Sequence, residues 1–253
     1  MRTIRLRRVL ERAPAVFSVL PVLVLWEAVG QLRLFVFVPP VSRVAASAVI
    51  LAGRGVLWVE GARTAGAVLA GFGLAAVIGV TLGVLMARYP LADAACGLYV
   101  EVFQTMPAAA MVPVLVLLFG LGRTSVVATA FLFAFFVVVV NVCAGVKQVD
   151  RRLLHMARSF GAGEWALVRW VILPATLPLA LAGLRIGLGR SVNGAVLGEM
   201  LISSIGIGGL MMYYGGAFQP DYLYALILLT VGVAGVLMGV IHAVEKRALR
   251  WMR

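Results

Sequence analysis

Long apolar runs, separated by short charged or turn-forming stretches, dominate this chain of 253 residues. The runs cover about 15–37, 62–87, 94–121, 124–146, 175–200 and 222–243. Each supplies roughly the 20 residues that a helix needs to cross a hydrocarbon core of about 30 Å. They are too long and too helix-compatible for the alternating strands of a membrane barrel. The pattern therefore predicts an all-α fold, a polytopic membrane helix bundle with about six transmembrane helices in one domain, residues 1–253.

The composition supports a membrane protein, because 63% of the residues are hydrophobic and only 13% are charged. The mean hydropathy of +1.06 exceeds what a soluble core of this length could bury. The start, "MRTIRLRRVLERAPAVFSVLPVLVLW", has the basic region of a signal peptide, but its apolar run is long and no small-residue cleavage site follows. We expect it to stay as the first span.

The basic residues indicate the orientation of the spans. Most of the 22 lysines and arginines fall in segments that lie on the same side as the N-terminus. Because short cytoplasmic loops retain basic residues, both termini are predicted to be cytoplasmic. The net charge of +12 is then mainly a topology signal, with attraction to anionic membrane lipid as a second effect. Nucleic-acid binding is not expected, because the charges are dispersed and lack an aromatic stacking platform.

Cysteine and histidine give no sign of a disulfide, a metal site or catalysis. Cys96 and Cys143 lie in apolar sequence, and His155 and His242 have no second ligand at metal-binding spacing. A membrane-embedded enzyme would also need clustered nucleophiles or carboxylates, which the isolated glutamates do not supply. We therefore expect no disulfide, no bound metal and no enzymatic activity of the chain itself.

Small residues recur every four positions in three of the apolar runs. The rows are Gly71, Ala75, Gly79 and Gly83; Gly183, Gly187, Ser191 and Ala195; and Gly235, Gly239 and Ala243. Such rows let membrane helices approach each other closely. The alternative is that glycine is simply frequent, with 28 in the chain.

The stretch "HMARSFGAGEWALVRWVILPATLP", residues 155–178, interrupts the apolar pattern. Leu153, Met156, Ala157 and Phe160 share one helical face, with polar residues around the rest. Gly161-Ala162-Gly163 ends this short helix, Glu164 suits the start of a second one, and Leu173-Pro174 is predicted to stop it. The result is a cytoplasmic helix hairpin over 150–173. From the residues alone, it either rests on lipid headgroups or docks a cytoplasmic partner.

The spacing of this hairpin resembles the cytoplasmic signature of permease subunits of binding-protein-dependent ABC importers. In that signature, an E-A-A triplet is followed by three residues, a glycine, nine residues and I-x-L-P. The triplet falls here on His155-Met156-Ala157, the glycine on Gly161 and the end on Leu173-Pro174. The chain departs from the pattern at His155, where the family has glutamate, and at Met156, where it has alanine.

Further motifs resemble the branch of sulfonate, taurine and nitrate permeases. They are "VPPVSRV" (38–44), "MPAAAMVPVLVLLFGLG" (106–122), "LPATLPLALAGLRIGLG" (173–189), Glu199-Met200-Leu201 and "GIGGLM" (206–211). Arg123 is a second departure, since the family often has an acidic residue there.

The resemblance implies a type I ABC importer permease fold in the bacterial inner membrane. It also implies a cytoplasmic ABC ATPase subunit, a periplasmic or lipid-anchored solute-binding protein and a second permease copy as partners. The residues that it assigns to the ATPase contact are His155, Met156, Ala157, Gly161, Ala162, Gly163, Glu164, Leu173 and Pro174. No cofactor is expected on this chain, because it lacks the G-x-x-x-x-G-K-[ST] loop, and the partner would use the ATP.

Polar residues at membrane depth are the candidates for the translocation path, because they are costly unless they are paired or line water. The candidates are Glu101, Gln104, Arg185, Arg190, Asn193 and Glu199. Arg190 and Asn193 share a helical face and favour a small anion such as a sulfonate or a carboxylate. Alternatively, Arg185 or Arg190 pairs with Glu101 or Glu199 and stabilises the bundle. Tyr213-Tyr214 are predicted to belong to a gate or to anchor at the membrane interface.

Other functions remain open from the residues alone, namely an ATP-independent secondary transporter and a membrane-embedded scaffold. A secondary transporter would be expected to show internal repeats or broken helices with paired ion-binding groups. The two halves of the chain show no such correspondence. An ABC importer permease is therefore the favoured prediction.

Overall fold

The computed structural model describes residues 19–33, 35, 37–202 and 205–248. Every regular element in this part of the chain is a helix, so the all-α prediction is confirmed. The helices are α1 (Val19–Gln31), α2 (Val41–Gly53), α3 (Gly55–Arg88), α4 (Pro90–Thr105), a 3₁₀ turn (Ala108–Met111), α5 (Val112–Phe119), α6 (Arg123–Lys147), α7 (Arg151–Ser159), α8 (Glu164–Leu167), a π turn (Val168–Ile172), α9 (Leu173–Ile202), α10 (Gly206–Gly216) and α11 (Pro220–Ala248).

The chain divides into two compact units. The first comprises Met1–Trp58 with Met211–Leu229, and the second comprises Val59–Leu210 with Thr230–Arg253. In the first unit, the indole of Trp26 donates to the carbonyl of Pro39 at 3.0 Å and its ring lies 5.8 Å from that of Tyr224. Tyr214 is buried and stacks on Tyr222 at 4.9 Å, whereas Tyr213 is exposed. One tyrosine of the predicted pair therefore has a packing role inside this unit.

Four helical stretches in the described residues are long and apolar enough to cross a membrane: Gly55–Arg88, Arg123–Lys147, Glu164–Ile202 and Pro220–Arg247. The bent pair Pro90–Thr105 and Ala108–Phe119 could supply a fifth span. The first predicted span, 15–37, is described only in part, as the 13 residues of α1 and the turn that follows. The predicted retention of the N-terminal run concerns residues that lie largely outside the described part.

The predicted third span, 94–121, is not one continuous helix. Its two halves meet at an angle of 103°. Met106, the residue before Pro107, adopts an extended backbone with ψ near 140°. A proline ring disfavours helical geometry in the residue before it, and the extended backbone of Met106 turns the chain at this point. The apolar pattern continues across the bend, and hydrophobicity alone could not reveal it.

Pro174 does not end the second helix of the hairpin, which differs from the sequence prediction. α8 passes through the π turn directly into α9, so that 164–202 forms one uninterrupted helical stretch. A π turn widens the helix by one residue, and such local adjustments accommodate a proline in membrane helices. The hairpin is consequently continuous with a membrane-spanning helix.

Small residues bring α3, α6 and α9 into close contact in the second unit. A Cβ atom added at Gly71 would lie 2.7 Å from the Cβ of Ala130, and one added at Gly83 would lie 2.8 Å from the carbonyl oxygen of Val139. The residue numbers of the contacting positions increase in the same direction along both helices, so α3 runs parallel to α6. The row on α9 contacts α6 in the opposite order, with Gly183 against Asn141 and Gly187 against Val138. Two of the three predicted small-residue rows therefore lie at helix contacts.

The third row has a different setting. Cβ atoms added at Gly235 or Gly239 of α11 would meet no atom of the described residues within 4 Å. Within the described part of the chain, the small residues of α11 therefore do not serve as a packing row.

Gly71→Ala tests the contact between α3 and α6, with Gly73→Ala as the matched control. The new methyl at Gly71 would overlap Ala130 and the α6 backbone. We therefore expect the free energy of unfolding to fall by about 1–3 kcal/mol. A methyl at Gly73 meets nothing within 4 Å in the described chain, so we expect no loss of stability. Thermal unfolding in detergent measures both. Equal changes in the two variants would contradict the helix contact.

Candidate functional site

The first helix of the hairpin has defined ends. The carboxylate of Asp150 accepts a hydrogen bond from the backbone N–H of Arg152 at 2.8 Å and caps the start of α7. After α7, Gly161 adopts φ +80°, a conformation that other residues rarely take. The N–H of Gly161 donates to the carbonyl of Arg158 at 2.9 Å. The glycine break of the sequence is thus the turn of the hairpin.

The hairpin presents large apolar side chains that the described chain leaves uncovered. Phe160, Trp165 and Trp170 are 85%, 74% and 72% exposed. Leu153 and Met156 of α7 are exposed as well. Exposed apolar side chains gathered on one element are typical of a surface that contacts a partner or a membrane.

Glu164 links the hairpin to the membrane helices. Its carboxylate accepts from Arg88 at the end of α3 through one oxygen and from Arg158 of α7 at 3.1 Å through the other. These pairs lie near the surface, where an ion pair stabilises by about 1 kcal/mol or less. Their consequence is mainly geometric, since the hairpin is tied to the end of a 34-residue helix. In the sequence, Arg88 is one of the basic residues that indicate orientation, and its contact with Glu164 is visible only in the fold.

The remaining predicted coupling residues lie on the same hairpin. His155, Gly163 and Leu173 are exposed, whereas Ala157, Ala162 and Pro174 are half-buried. The structure therefore gathers the predicted set on one surface element, and their contact with an ATPase stays a prediction.

The predicted path residues are not brought together. Glu101 and Gln104 lie exposed on α4, and Arg190 and Asn193 lie exposed on α9. Arg185 pairs with Glu245 at 3.1 Å and lies 3.3 Å from Nδ1 of His242. The alternative reading of Arg185 as a bundle-stabilising residue thus has a contact, but its partner is Glu245 of α11 rather than Glu101 or Glu199.

Glu199 is 3% exposed and forms the centre of a buried network. Its Oε2 accepts from the hydroxyl of Thr64 at 2.9 Å and from the N–H of Gly208 at 3.0 Å. The N–H of Ile207 donates to the Thr64 oxygen at 2.9 Å, and the N–H of Gly206 donates to Glu60 at 2.6 Å. Three successive N–H groups at the start of α10, which lack partners within their own helix, are therefore satisfied by side chains of α3 and α9.

Only glycine fits at residue 206 in this network. Gly206 has φ +84°, and an added Cβ would lie 2.1 Å from the carboxyl carbon of Glu199. Glu199 and the glycine-rich segment 206–211 both belong to motifs in the sequence, but the contact between them is visible only in the fold. Glu60 and Thr64 carried no sequence signal, although the i, i+4 spacing places them on one helix face.

A cavity of about 250 Å³ adjoins this network in the second unit. Its polar lining comes from Arg63, Arg123 and Glu199, and its apolar lining from Ala67, Val126 and Ile205. Arg63 also pairs with Glu60 at 2.7 Å.

Residues 79–250 match the family described as the inner membrane component of binding-protein-dependent transport systems. The match covers more than half of the chain, which therefore belongs to this family and is an ABC importer permease. It is a multi-pass protein of the inner membrane. The prediction from the hairpin signature is confirmed.

Named relatives extend the match along the chain. The taurine transport system permease protein TauC of Escherichia coli is 29% identical over 90% of this chain and 86% of its own length. The riboflavin transport system permease protein RibX of Chloroflexus aurantiacus is 30% identical over 78% and 74%. The relatives include the taurine branch to which the sequence motifs pointed.

A solved structure shares the fold. The inward-facing MetNI methionine ABC transporter superposes with a TM-score of 0.62 at 20% identity, covering 77% of this chain and 95% of its own. The type I importer permease fold is thereby confirmed.

Glu199→Leu tests the network at α10. Removing the carboxylate leaves the Thr64 hydroxyl and the Gly208 N–H without their acceptor, at a cost of roughly 1–3 kcal/mol for each buried group. We expect faster hydrogen exchange in peptides covering 206–210, measured by mass spectrometry. Glu199→Gln retains an acceptor oxygen, so its hydrogen exchange in the same peptides should be close to that of wild type. Unchanged exchange in Glu199→Leu would show that the network does not hold the first turn.

Proposed function

We propose that this chain forms the translocation path of an ABC importer and that a separate cytoplasmic ATPase drives it through the hairpin 151–173. The observation that carries the proposal is the exposed apolar surface of the hairpin, centred on Phe160, Trp165 and Trp170, on an element tied to α3 by Arg88 and Glu164. An amphipathic helix with such a face suits a groove on a partner protein.

The continuity of the hairpin with the spans supports this mechanism. α8 runs into α9 without a break, and Glu164 binds the end of α3. A displacement of the hairpin would therefore act directly on two helices of the packed unit. In this proposal, ATP binds and is hydrolysed on the partner, and no cofactor binds to this chain.

The assembly and orientation are part of the same proposal. Two permease copies, two ATPase subunits and an external solute-binding protein would form the transporter, with both termini of this chain in the cytoplasm. The basic residues Lys147, Arg152, Arg158 and Arg169 around the hairpin fit the cytoplasmic side.

The solute is proposed to be small and anionic, or to carry an anionic group. The basic side chains Arg190, Arg63 and Arg123 of the second unit support an oxyanion, because guanidinium groups bind oxyanions with paired hydrogen bonds. The relatives are named for solutes as different as taurine and riboflavin. The solute class thus rests on the charges of this chain.

Phe160→Asp tests the hairpin, with Ser159→Asp as the control for charge. Phe160 is 85% exposed, so its replacement should leave the fold intact while it places a charge in the apolar contact. We expect at least a tenfold loss of co-purified ATPase subunit. The neighbouring Ser159 is also exposed but belongs to the polar face, so the same charge there should have a smaller effect.

The double variant Gly161→Asp with Ala157→Arg should release the ATPase as well while inserting normally into the membrane, and ATP hydrolysis in liposomes should fall accordingly. If wild type and all variants retain the ATPase equally, or none binds it, the hairpin is an interfacial anchor and the proposal is withdrawn.

Arg88→Ala and Glu164→Ala test transmission rather than docking. Both remove the ion pair between Arg88 and Glu164, and Glu164→Ala also removes the pair with Arg158. Both variants leave the exposed aromatic side chains of the hairpin in place. We expect the ATPase to co-purify while ATP-driven solute uptake falls several-fold. The double variant should be no worse than the poorer single variant, because both lose the same contact. Additive losses would show that the two residues act separately.

A further inference from the structure

None of the residues that line the cavity beside Glu199 belongs to the hairpin, and Arg123 on its wall departs from the family pattern. The side chain of Arg123 makes no ion pair or hydrogen bond within 19–33, 35, 37–202 and 205–248. The guanidinium nevertheless lies close against α3, because a Cβ at Gly66 would be only 2.6 Å from its Nη2 atom. The absence of a side chain at Gly66 thus makes room for this cation at the cavity.

The cavity is lined by two guanidinium groups and one carboxyl group. Arg63 lines it and uses Nη1 to pair with Glu60, which leaves other N–H donors of its guanidinium. Arg123 adds a second guanidinium. Glu199 also lines the cavity, and both of its hydrogen bonds found in the described part go to Oε2 rather than Oε1.

The remaining wall and the volume set the size of a ligand. Ala67 and Val126 are buried apolar residues, and Ile205 closes the lining. At about 30 Å³ for each water molecule, the cavity of about 250 Å³ holds roughly eight waters. A solute of roughly eight non-hydrogen atoms, with a short apolar segment between its polar groups, would match this space.

We propose that this cavity is a solute-binding site for a small zwitterion, with a sulfonate or carboxylate against Arg63 and Arg123 and an ammonium group toward Glu199. The site deepens the proposed transport function and rests on it. A guanidinium pair binds an oxyanion through charge-assisted, often bidentate hydrogen bonds. A phospholipid headgroup offers a similar oxyanion, and a short-chain phosphatidylglycerol probe distinguishes it from a free zwitterion.

A bound zwitterion would also contact the network that holds α10. Glu199 would face the ammonium through one oxygen while the other still accepts from Thr64 and Gly208. Occupation of the cavity and the placement of the first turn of α10 would therefore be coupled through a single carboxylate.

Thermal unfolding of the purified protein in a phosphate-free maltoside detergent tests the site, with taurine and ethanesulfonate as probes. The two differ by the ammonium group alone. We expect taurine to stabilise wild type, by about 5–10 °C at a hundredfold excess over its Kd, and to half-saturate at a roughly tenfold lower concentration than ethanesulfonate. Arg123→Gln should raise the half-saturating concentration of both probes at least about tenfold. Arg33→Gln removes an exposed charge outside the cavity and should leave the half-saturating concentration of both probes unchanged.

The outcomes separate the site from the transport function. Equal half-saturation by the two probes, or an equal effect of Arg123→Gln and Arg33→Gln, overturns the zwitterion site. Stabilisation by dihexanoyl phosphatidylglycerol but not by taurine assigns the cavity to a lipid headgroup and overturns the zwitterion site too.

In liposomes with the ATPase and the solute-binding protein, Arg123→Gln should raise the KM of uptake while ATPase co-purification stays normal. If wild type itself fails to hold the ATPase, the proposed function fails independently of the binding result.

Discussion

The close approach of α3, α6 and α9 is the constraint on which the second unit depends. Membrane helices gain little from hydrophobic association, because lipid tails are as apolar as leucine, so they pack through backbone proximity. Gly71, Gly83 and Gly194 provide this proximity, since any side chain there would overlap the neighbouring helix. The close helix packing at these glycines holds the helices that carry the polar contacts of Glu199 and Glu164.

α3 connects the hairpin to the buried network around Glu199. Glu60 and Thr64 contact the start of α10, and Arg88 contacts Glu164 at the hairpin. At 1.5 Å per residue, the 28 residues between Glu60 and Arg88 span roughly 40 Å, about the thickness of a bilayer with its headgroups. One helix thus carries the contacts of the hairpin at one end and those of the buried network at the other.

The departures from the family pattern acquire a physical context in the fold. His155 stands where the family has glutamate and is exposed on the hairpin, while the ionic contacts of the hairpin pass through Glu164, Arg88 and Arg158. Arg123, the second departure, lies at the cavity beside Glu199. In both places, a change of charge falls on a surface or a cavity and not within the helix packing.

The sequence by itself determined the helical class, most span positions, two of the three packing rows and the hairpin with its glycine turn. These features follow from apolar run length, four-residue spacing and local backbone preference, all of which are local in the chain. Only the tertiary structure decided the bend at Met106, the continuity through Pro174, the partner of Arg185 and the contacts of Glu199 with Thr64 and α10. Thr64 and Glu199 are 135 residues apart, and such pairings depend on which helix faces meet, which no local pattern encodes.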